Sequence, residues 1–528
     1  MSDLRPWWQD GVIYQIVVPS FLDTNGDGLG DLPGVLQRLE YLEWLGVETI
    51  WLSPIYPSPL ADLGYDIADF TAIHPRFGTF NDFDLLLQEC HRRGMKLLLD
   101  WVPNHTSTEH AWFQESISSR GNPKRDWYIW RDPRRDGSVP TNWVSMFGGG
   151  AWQWHEPTGQ YYLHTFLDQQ ADLNWRNPEV WEAMFDTLRF WLDRGVDGFR
   201  IDAIDLLLKD DQFRDNPPNP DWQEGEPYAN KLFTKYTRNQ PGIHDLVAKM
   251  RKVADEYDGD RMLCGELYVP VHELVEYYGK DQPELHMPLN LEIAWVDWSD
   301  DEMVRIIEEY YRDLPRGAWP TWTLSTHDNA RLAARVHGEQ TRVAAMLLLT
   351  LGGTPTHYYG EEIGMRGVPI PPEQAIDPQG RLSGRNRDPE RTPMQWNNET
   401  YAGFSTAEPW LPIGDDLSRV NVAAQMDDPR SLLSLYRRLI ALRKEKRVLI
   451  EGGHQMIARK DPILAYRRTN TTESIVVVLN PTDDPHSFRH ESLEATRILL
   501  SSYLDREGEN ADGQVQLRAD EALILVPR

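Results

Sequence analysis

Four apolar runs in this sequence end on carboxylates. Lys96-Leu97-Leu98-Leu99 leads into Asp100-Trp101-Val102-Pro103-Asn104-His105, and Gly198-Phe199-Arg200-Ile201 leads into Asp202-Ala203. The other two end in Gly265-Glu266 and His327-Asp328. A single acidic residue after a strand often does no more than cap the next helix. Several such ends on one face converge on one point. There one carboxylate can attack or stabilise an acetal carbon while another protonates the departing oxygen. A separate run, Asp23-Thr24-Asn25-Gly26-Asp27-Gly28-Leu29-Gly30-Asp31, spaces oxygen donors at alternate positions with glycines for tight turning. Hard cations such as Ca²⁺ want that arrangement. It resembles the first half of an EF-hand loop but lacks the distal glutamate. His272-Glu273-Leu274-Val275-Glu276 only approaches the zinc-protease pattern and is set aside.

The elements that must position these carboxylates are short apolar runs alternating with amphipathic stretches. Candidate strands lie at 13–21, 48–56, 96–103, 198–204, 261–268, 287–294, 321–327 and 355–360, and amphipathic stretches at 36–45, 83–93 and 180–194. Eight strands with intervening helices predict an α/β fold, a parallel (β/α)8 TIM barrel, whose working face is the C-terminal end of its strands. No G-x-G-x-x-G follows the first strand, as a dinucleotide site would require. After Asn104 comes a stretch of about 70 residues rich in Trp, Gly, Pro and Arg, too long for a plain loop. It reads as a small domain, 104–174, inserted after the third strand. The barrel is then 1–103 with 175–446. Beyond it, apolar runs at 463–468, 474–479, 496–500 and 522–526 suit an antiparallel β domain over 447–528, sandwich-like in form.

The chain has 528 residues, with 54 Lys and Arg against 82 Asp and Glu, a formal net charge of −28. That balance argues against nucleic acid and anionic membranes as partners. No apolar run approaches a bilayer-spanning length, and the opening MSDLRPWWQDG has no apolar signal-peptide core. Two cysteines, Cys90 and Cys264, cannot form a disulfide framework. A cytoplasmic protein with buried free thiols is expected. The 21 tryptophans fill cores in most proteins, but together with many carboxylates they also suit a sugar site, where rings stack on aromatic faces.

The segments carrying the carboxylates resemble the signature regions of glycoside hydrolase family 13, the α-amylase superfamily. Asp100–His105 is similar to its D-x-x-x-N-H motif, Gly198–Ala203 to G-F-R-x-D, Gly265-Glu266 to G-E and His327-Asp328 to H-D. Gln170-Ala171-Asp172-Leu173-Asn174 resembles the Q-P-D-L-N segment of the oligo-1,6-glucosidase and α-glucosidase branch, with Ala for Pro. Arg391-Thr392-Pro393-Met394-Gln395-Trp396 resembles another segment of that branch. The motifs occur in family order across essentially the whole chain. One departure is Thr326, where the branch usually has Asn before H-D.

The resemblance implies a retaining, exo-acting α-glucosidase acting on maltose and short α-glucosides, with glucosyl transfer as a side reaction. Asp202 would be the nucleophile, Glu266 the acid/base and Asp328 a binder of sugar hydroxyls. The neighbouring Arg200 should depress the pKa of Asp202, and the other carboxylates should raise that of Glu266. His105 and His327 would bond glucose hydroxyls. Asp62, Tyr65 and Arg387 would grip the terminal glucose, and Phe147 and Phe166 would form apolar walls. In this family Ala after the nucleophile, here Ala203, goes with α-1,4 cleavage, and Val there with α-1,6. Trp152 and Trp154 could offer a platform for the acceptor. The first-loop run becomes a structural Ca²⁺ site, with Mg²⁺ as the alternative, ligated by Asp23, Asn25, Asp27, the Leu29 carbonyl and Asp31. A monomer or weak homo-oligomer is expected. The alternatives are an oligo-1,6-glucosidase or a glucosyl isomerase or transferase on the same scaffold, such as a trehalose synthase or sucrose isomerase. The Arg-Leu-Asp-Arg-Asp run of sucrose isomerases is absent. A non-catalytic transporter partner would need a membrane helix and broken motifs, and the motifs here are intact.

Overall fold

The computed structural model describes residues 5–296, 300–460 and 463–528. The first four residues, part of the opening segment read for a leader, lie outside it. Eight parallel strands form the central sheet: β1 (Ile13–Ile16), β2 (Thr49–Leu52), β3 (Lys96–Trp101), β4 (Gly198–Ile201), β5 (Met262–Leu267), β6 (Met287–Asn290), β7 (Thr321–Thr323) and β8 (Thr354–Tyr358). Their order is β6-β5-β4-β3-β2-β1-β8-β7, so the sheet curls into a (β/α)8 barrel whose seam lies between β6 and β7. That seam is bridged by a side chain. The Thr321 hydroxyl donates to the Pro288 carbonyl at 2.8 Å and accepts from the Asn290 N–H at 3.1 Å. All eight predicted strands are present, each shorter than its apolar run, because the residues beyond the ladder turn into the mouth.

Both faces of these strands are covered, so they read as nearly unbroken apolar runs. The alternation that matters is inside the barrel, where every second residue of a strand points inward. Ile13, Trp51, Leu98, Met262, Cys264, Met287 and Leu289 form one apolar cluster. One pleat further up, the same faces carry Gln15, Asp100, Arg200 and Glu266, all buried. The strands thus change from apolar to charged toward their C-terminal ends. Cys90 and Cys264 are both buried and free.

The outer helices begin on sequence-encoded caps. Thr79 and Asp82 make a reciprocal capping box for Phe80–Arg92. Asn177 caps Pro178–Asp193, whose proline stands in the first turn, where its missing N–H costs nothing. The stretch predicted as one helix over 36–45 is two, Leu32–Gln37 and Leu39–Leu45, broken at Arg38.

Between β3 and β4 the chain makes the helix Ala111–Ser118 and a three-stranded sheet of Trp130–Arg131, Gln160–Leu163 and Trp152–His155. Two short strands, His105–Ser107 and Gln170–Asp172, pair antiparallel at its base. After the helix Leu432–Glu445 comes a six-stranded sheet, followed in space by a two-stranded pair of His486–Arg489 and Gln514–Leu517. The strand Gly453–Lys460 opens this region and was not among the predicted runs. A second apolar cluster, including Ile463, Val476, Phe488 and Leu523, lies within it. Among the described residues no helix is long and apolar enough to cross a membrane.

Candidate active site

A cavity of about 570 Å³ opens at the C-terminal mouth of the barrel. Asp202, Glu266, Asp328, Asp62, Tyr65, His105, Phe147, Phe166, His327 and Arg387 all line it. Arg200, the remaining predicted site residue outside the metal loop, lies directly beneath.

Arg200 is the floor of the site. It stands on β4 two residues before Asp202 and is the register partner of Asp100 on β3. Its Nη1 donates to Asp100 at 2.7 Å and Asp202 at 2.8 Å, and its Nη2 pairs with Glu266. One guanidinium therefore ties three carboxylates from three strands, a use for which its planar fork is suited. Glu266 also accepts from the Tyr268 hydroxyl at 3.0 Å and from the Ala203 N–H at 3.0 Å. That amide is aimed by backbone strain, since Ala203 holds φ 45° and ψ 41°, the left-handed region that non-glycine residues seldom adopt.

The expected depression of the Asp202 pKa does not occur. Burial and then the Glu266 carboxylate push Asp202 well above the ordinary carboxylate range, and Arg200 only partly opposes them. The sequence placed the cation beside Asp202 but did not show that Arg200 is shared three ways.

Asp328 is the opposite case. Burial disfavours its charge, but the His327 ring and the guanidiniums of Arg387 and Arg391 outweigh burial and hold it far below the usual range. Arg387 donates to it at 2.9 Å and Arg391 at 3.0 Å. At the departure from the branch pattern, Thr326 makes local bonds. Its N–H and hydroxyl both bond the Asn329 side-chain oxygen, at 2.7 and 3.0 Å, and its hydroxyl accepts from the Asp328 N–H at 3.2 Å.

Arg387 gathers the acidic groups on one side of the cavity. Arg387 bridges Asp62 and Asp377, both at 2.8 Å, as well as Asp328, and its guanidinium lies 4.7 Å from the Phe147 ring centroid. Burial raises Asp62 to about 6 despite Arg387. Tyr65 donates its hydroxyl to Asp100 at 2.8 Å and lies within 2.8 Å of His327 Nε2. Burial pushes His327 down to about 3 and His105 to about 4, so both rings are neutral near pH 7. Phe166 meets the His105 ring edge-on with centroids 5.2 Å apart.

Sequence reasoning missed Asp377, which lies in a loop outside the family motifs, and it gave no role to Arg391, which opens a family segment, or to Tyr268, two residues after Glu266. It also misplaced the acceptor aromatics. Trp152 is buried against Trp143 and Phe213, and Trp154 packs on Tyr161. Neither lines the cavity, whose outer rim instead carries the exposed rings of Tyr268 and Trp295.

The Asp23–Asp31 loop lies apart from this cavity. Asp23 accepts from the N–H groups of Asn25, Gly26 and Gly28 and from the Ser405 hydroxyl. Asp27 accepts from the Leu29 N–H and from Arg76, and Asp31 caps the following helix through the Gly34 N–H. Among the described residues no three His, Cys, Asp or Glu side chains converge as a metal site. The all-oxygen donor set suits a hard cation, but only with Asn25 and the Leu29 carbonyl added to the aspartates.

Carboxylates gathered in a cavity at the C-terminal mouth of a parallel barrel are the arrangement that a glycoside-cleaving enzyme requires. Residues 15–452 match the model of the alpha amylase catalytic domain, and the chain belongs to that family. It is 37% identical to an oligo-1,6-glucosidase of Parageobacillus thermoglucosidasius, over 98% of this chain and 99% of that one. It is 39% identical to a probable alpha-glucosidase of Rhizobium meliloti, over 91% and 90%. A crystal structure of an alpha-glucosyl transfer enzyme superposes with a TM-score of 0.93 at 38% identity, covering 99% and 100%. The protein is a glycoside hydrolase whose relatives differ in linkage and acceptor.

Proposed function

We propose that this enzyme is a retaining, exo-acting α-glucosidase that releases terminal α-1,4-linked glucose from maltose and short α-glucosides, with glucosyl transfer as a side reaction. The carrying observation is a cavity that holds Asp202 and Glu266 over one guanidinium and has the Arg387–Asp62 bridge in its wall, read here as a blind inner end. A shared guanidinium favours the close carboxylate spacing of retention, about 5–5.5 Å, over the roughly 6.5–9.5 Å of inversion. A blind inner end admits only chain ends. Ala203 beside Asp202 leaves room for an α-1,4 aglycone, and the likeness to a glucosyl transfer enzyme supports transfer.

Asp202 attacks C1 and forms a β-linked glucosyl ester. Positive charge developing at C1 favours ionised Asp202, and Glu266 gives its proton to the departing oxygen. Glu266 then takes a proton from water or from an acceptor hydroxyl, which displaces Asp202 from C1. Ionised Asp328 accepts from sugar hydroxyls. His105 and His327, both neutral, bond further hydroxyls without adding charge. The Asp23–Asp31 loop is read as a structural site for Ca²⁺, or alternatively Mg²⁺, which would neutralise its aspartates and stabilise the fold. The same reading divides the chain into a barrel of 1–103 and 175–446, an insert of 104–174 and a C-terminal domain of 447–528. It places the protein in the cytoplasm as a monomer or weak homo-oligomer.

Azide and an activated aryl α-glucoside test the two roles. Glu266→Ala should accumulate glucosyl-enzyme and yield α-glucosyl azide. Asp202→Gly should yield β-glucosyl azide by direct displacement. The same anomer from both variants, or β-glucose as the first product of the native enzyme, overturns the assignment. Relative rates on maltose, isomaltose, sucrose, trehalose and starch test the linkage and chain-end reading, and isomaltose above maltose would make the enzyme an oligo-1,6-glucosidase.

A further inference from the structure

The two catalytic carboxylates stand where their strands give way to loops. One loop runs from Asp202 through Ala203 into the short helix Ile204–Leu206, and the other follows β5, on which Glu266 stands, and begins at Tyr268. The two are joined directly by the Ala203 N–H bond to Glu266. Further out they are also tied by a third segment, remote from both motifs in the sequence.

That tie is centred on Arg238. Its Nη1 donates to the Tyr268 carbonyl at 2.8 Å and pairs with the Asp205 carboxylate at 2.5 Å. Asp205 is buried, and the Arg238 side chain is nearly so. The next residue continues the tie. Asn239, in the left-handed region at φ 48°, donates its backbone N–H to the Asp205 carbonyl at 2.9 Å. Its side chain donates to Glu273 at 2.5 Å and accepts from the Tyr277 hydroxyl, both on the segment after β5. Gln240 holds the backbone of this segment from below, donating to the carbonyls of Arg238 and Lys235 at 2.7 and 2.8 Å. A buried charge pair and a strained backbone cost stability unless surrounding contacts enforce them. Here both sit where the two catalytic loops meet.

We propose that Arg238 is a positioning residue, which clamps the loop after Asp202 to the loop after Glu266 and so sets where the acid/base stands relative to the nucleophile. The linkage runs from Asp205 through Arg238 to the backbone of Tyr268, whose hydroxyl in turn donates to Glu266. This rests on the roles assigned above to Asp202 and Glu266. Losing the clamp leaves both carboxylates present but lets Glu266 drift from the glycosidic oxygen. A misplacement of about 1 Å in such a group costs on the order of 10²-fold in rate.

The test compares maltose, whose leaving group needs protonation, with 2,4-dinitrophenyl α-glucoside, whose leaving group does not. Arg238→Met should lower kcat/KM for maltose about 10- to 100-fold more than for the dinitrophenyl glucoside. Because that variant leaves Asp205 buried without a cation, the pair Asp205→Asn with Arg238→Met provides a neutral version, which should show the same selective loss. Arg238→Lys, which can still reach both oxygens, should recover part of it. Parallel losses on both substrates, or no loss in the neutral pair, would mean that Arg238 only supports the fold. Glu266→Ala is the reference. If that variant shows no selective loss on maltose, the catalytic assignment fails rather than the clamp.

Discussion

Arg200 and Arg387 are built alike and held differently. Each sits buried among three carboxylates: Asp100, Asp202 and Glu266 for the first, Asp62, Asp328 and Asp377 for the second. Arg200 belongs to β4, and the sheet places it, since Asp100 is its register partner and Asp202 follows on the same face. Arg387 comes from an irregular loop and is placed by that loop's own bonds. Asp377 caps the helix Pro378–Ser383 and also accepts from the Arg387 N–H at 2.8 Å and from its Nε at 3.2 Å. Strand geometry needs no such help, whereas a loop must spend side chains on holding its arginine. A third acidic group, the Asp23–Asp31 loop, has among the described residues only the exposed Arg76 as a cationic partner, facing Asp27.

The largest effect should come from removing the two arginines in turn. Arg200→Met strands three buried carboxylates and should cost about 3–5 kcal/mol in urea denaturation, with activity falling below detection. Arg387→Met should cost less stability, because Asp328 keeps Arg391 and Asp377 keeps its backbone donors. Its loss should appear in binding, as a rise in KM for maltose equivalent to about 1.5–3 kcal/mol for a charged hydrogen bond, with starch gaining relative to maltose. Equal stability losses in the two variants would erase the distinction between them.

The pH dependence separates the members of the Arg387 group. Asp62 is raised to about 6, so between its unfolded value and 6 the folded protein binds the extra proton. Asp62 therefore costs stability above pH 6, and that cost is relieved as pH falls toward 4. The protein should gain stability over this window relative to Asp62→Asn, by up to about 3 kcal/mol for a two-unit shift. Over the same window kcat/KM should fall as the Asp62–Arg387 pair is discharged. Asp328 is held low, so its contribution persists until the pH drops below the ordinary carboxylate range. Thermal melts from pH 4 to 7 on the native enzyme and Asp62→Asn would show this, and identical profiles would place the titration elsewhere.

The smallest effect belongs to the third acidic group. If a cation does there what arginine does in the cavity, a chelator should lower Tm while early activity stays nearly intact. At a metal concentration of 100 Kd the linkage is worth about 2.7 kcal/mol, which over a cooperative unit this large corresponds to roughly 2–3 °C. Immediate loss of activity restored by metal alone would move the ion into the chemistry, and an unchanged Tm would leave the loop metal-free.

The division between what was legible and what was not follows from sequence distance. Carboxylates at the ends of apolar strands could be found from the chain because a parallel barrel gathers every strand's C-terminus on one face, whatever the loops do. Asp377 and Arg238 could not, since nothing in the local sequence marks which loop folds back over the mouth, and Arg391 was marked only as part of a family segment, without its partner Asp328. Trp152 and Trp154 were misplaced for the same reason, as aromatic side chains serve a small core and a sugar site equally well.

By itself the sequence determined the barrel, the antiparallel C-terminal sheet and the carboxylates at the strand ends, which depend on apolar periodicity, a local property. Asp62, Tyr65, Phe147, Phe166 and Arg387 were reached through the family resemblance. Only the tertiary structure decided how those groups are charged. One guanidinium shared by Asp100, Asp202 and Glu266 leaves Asp202 raised, while two arginines on Asp328 hold it low. Protonation in a buried site is set by burial and by how many partners each cation serves, and neither is written in the spacing of residues along the chain.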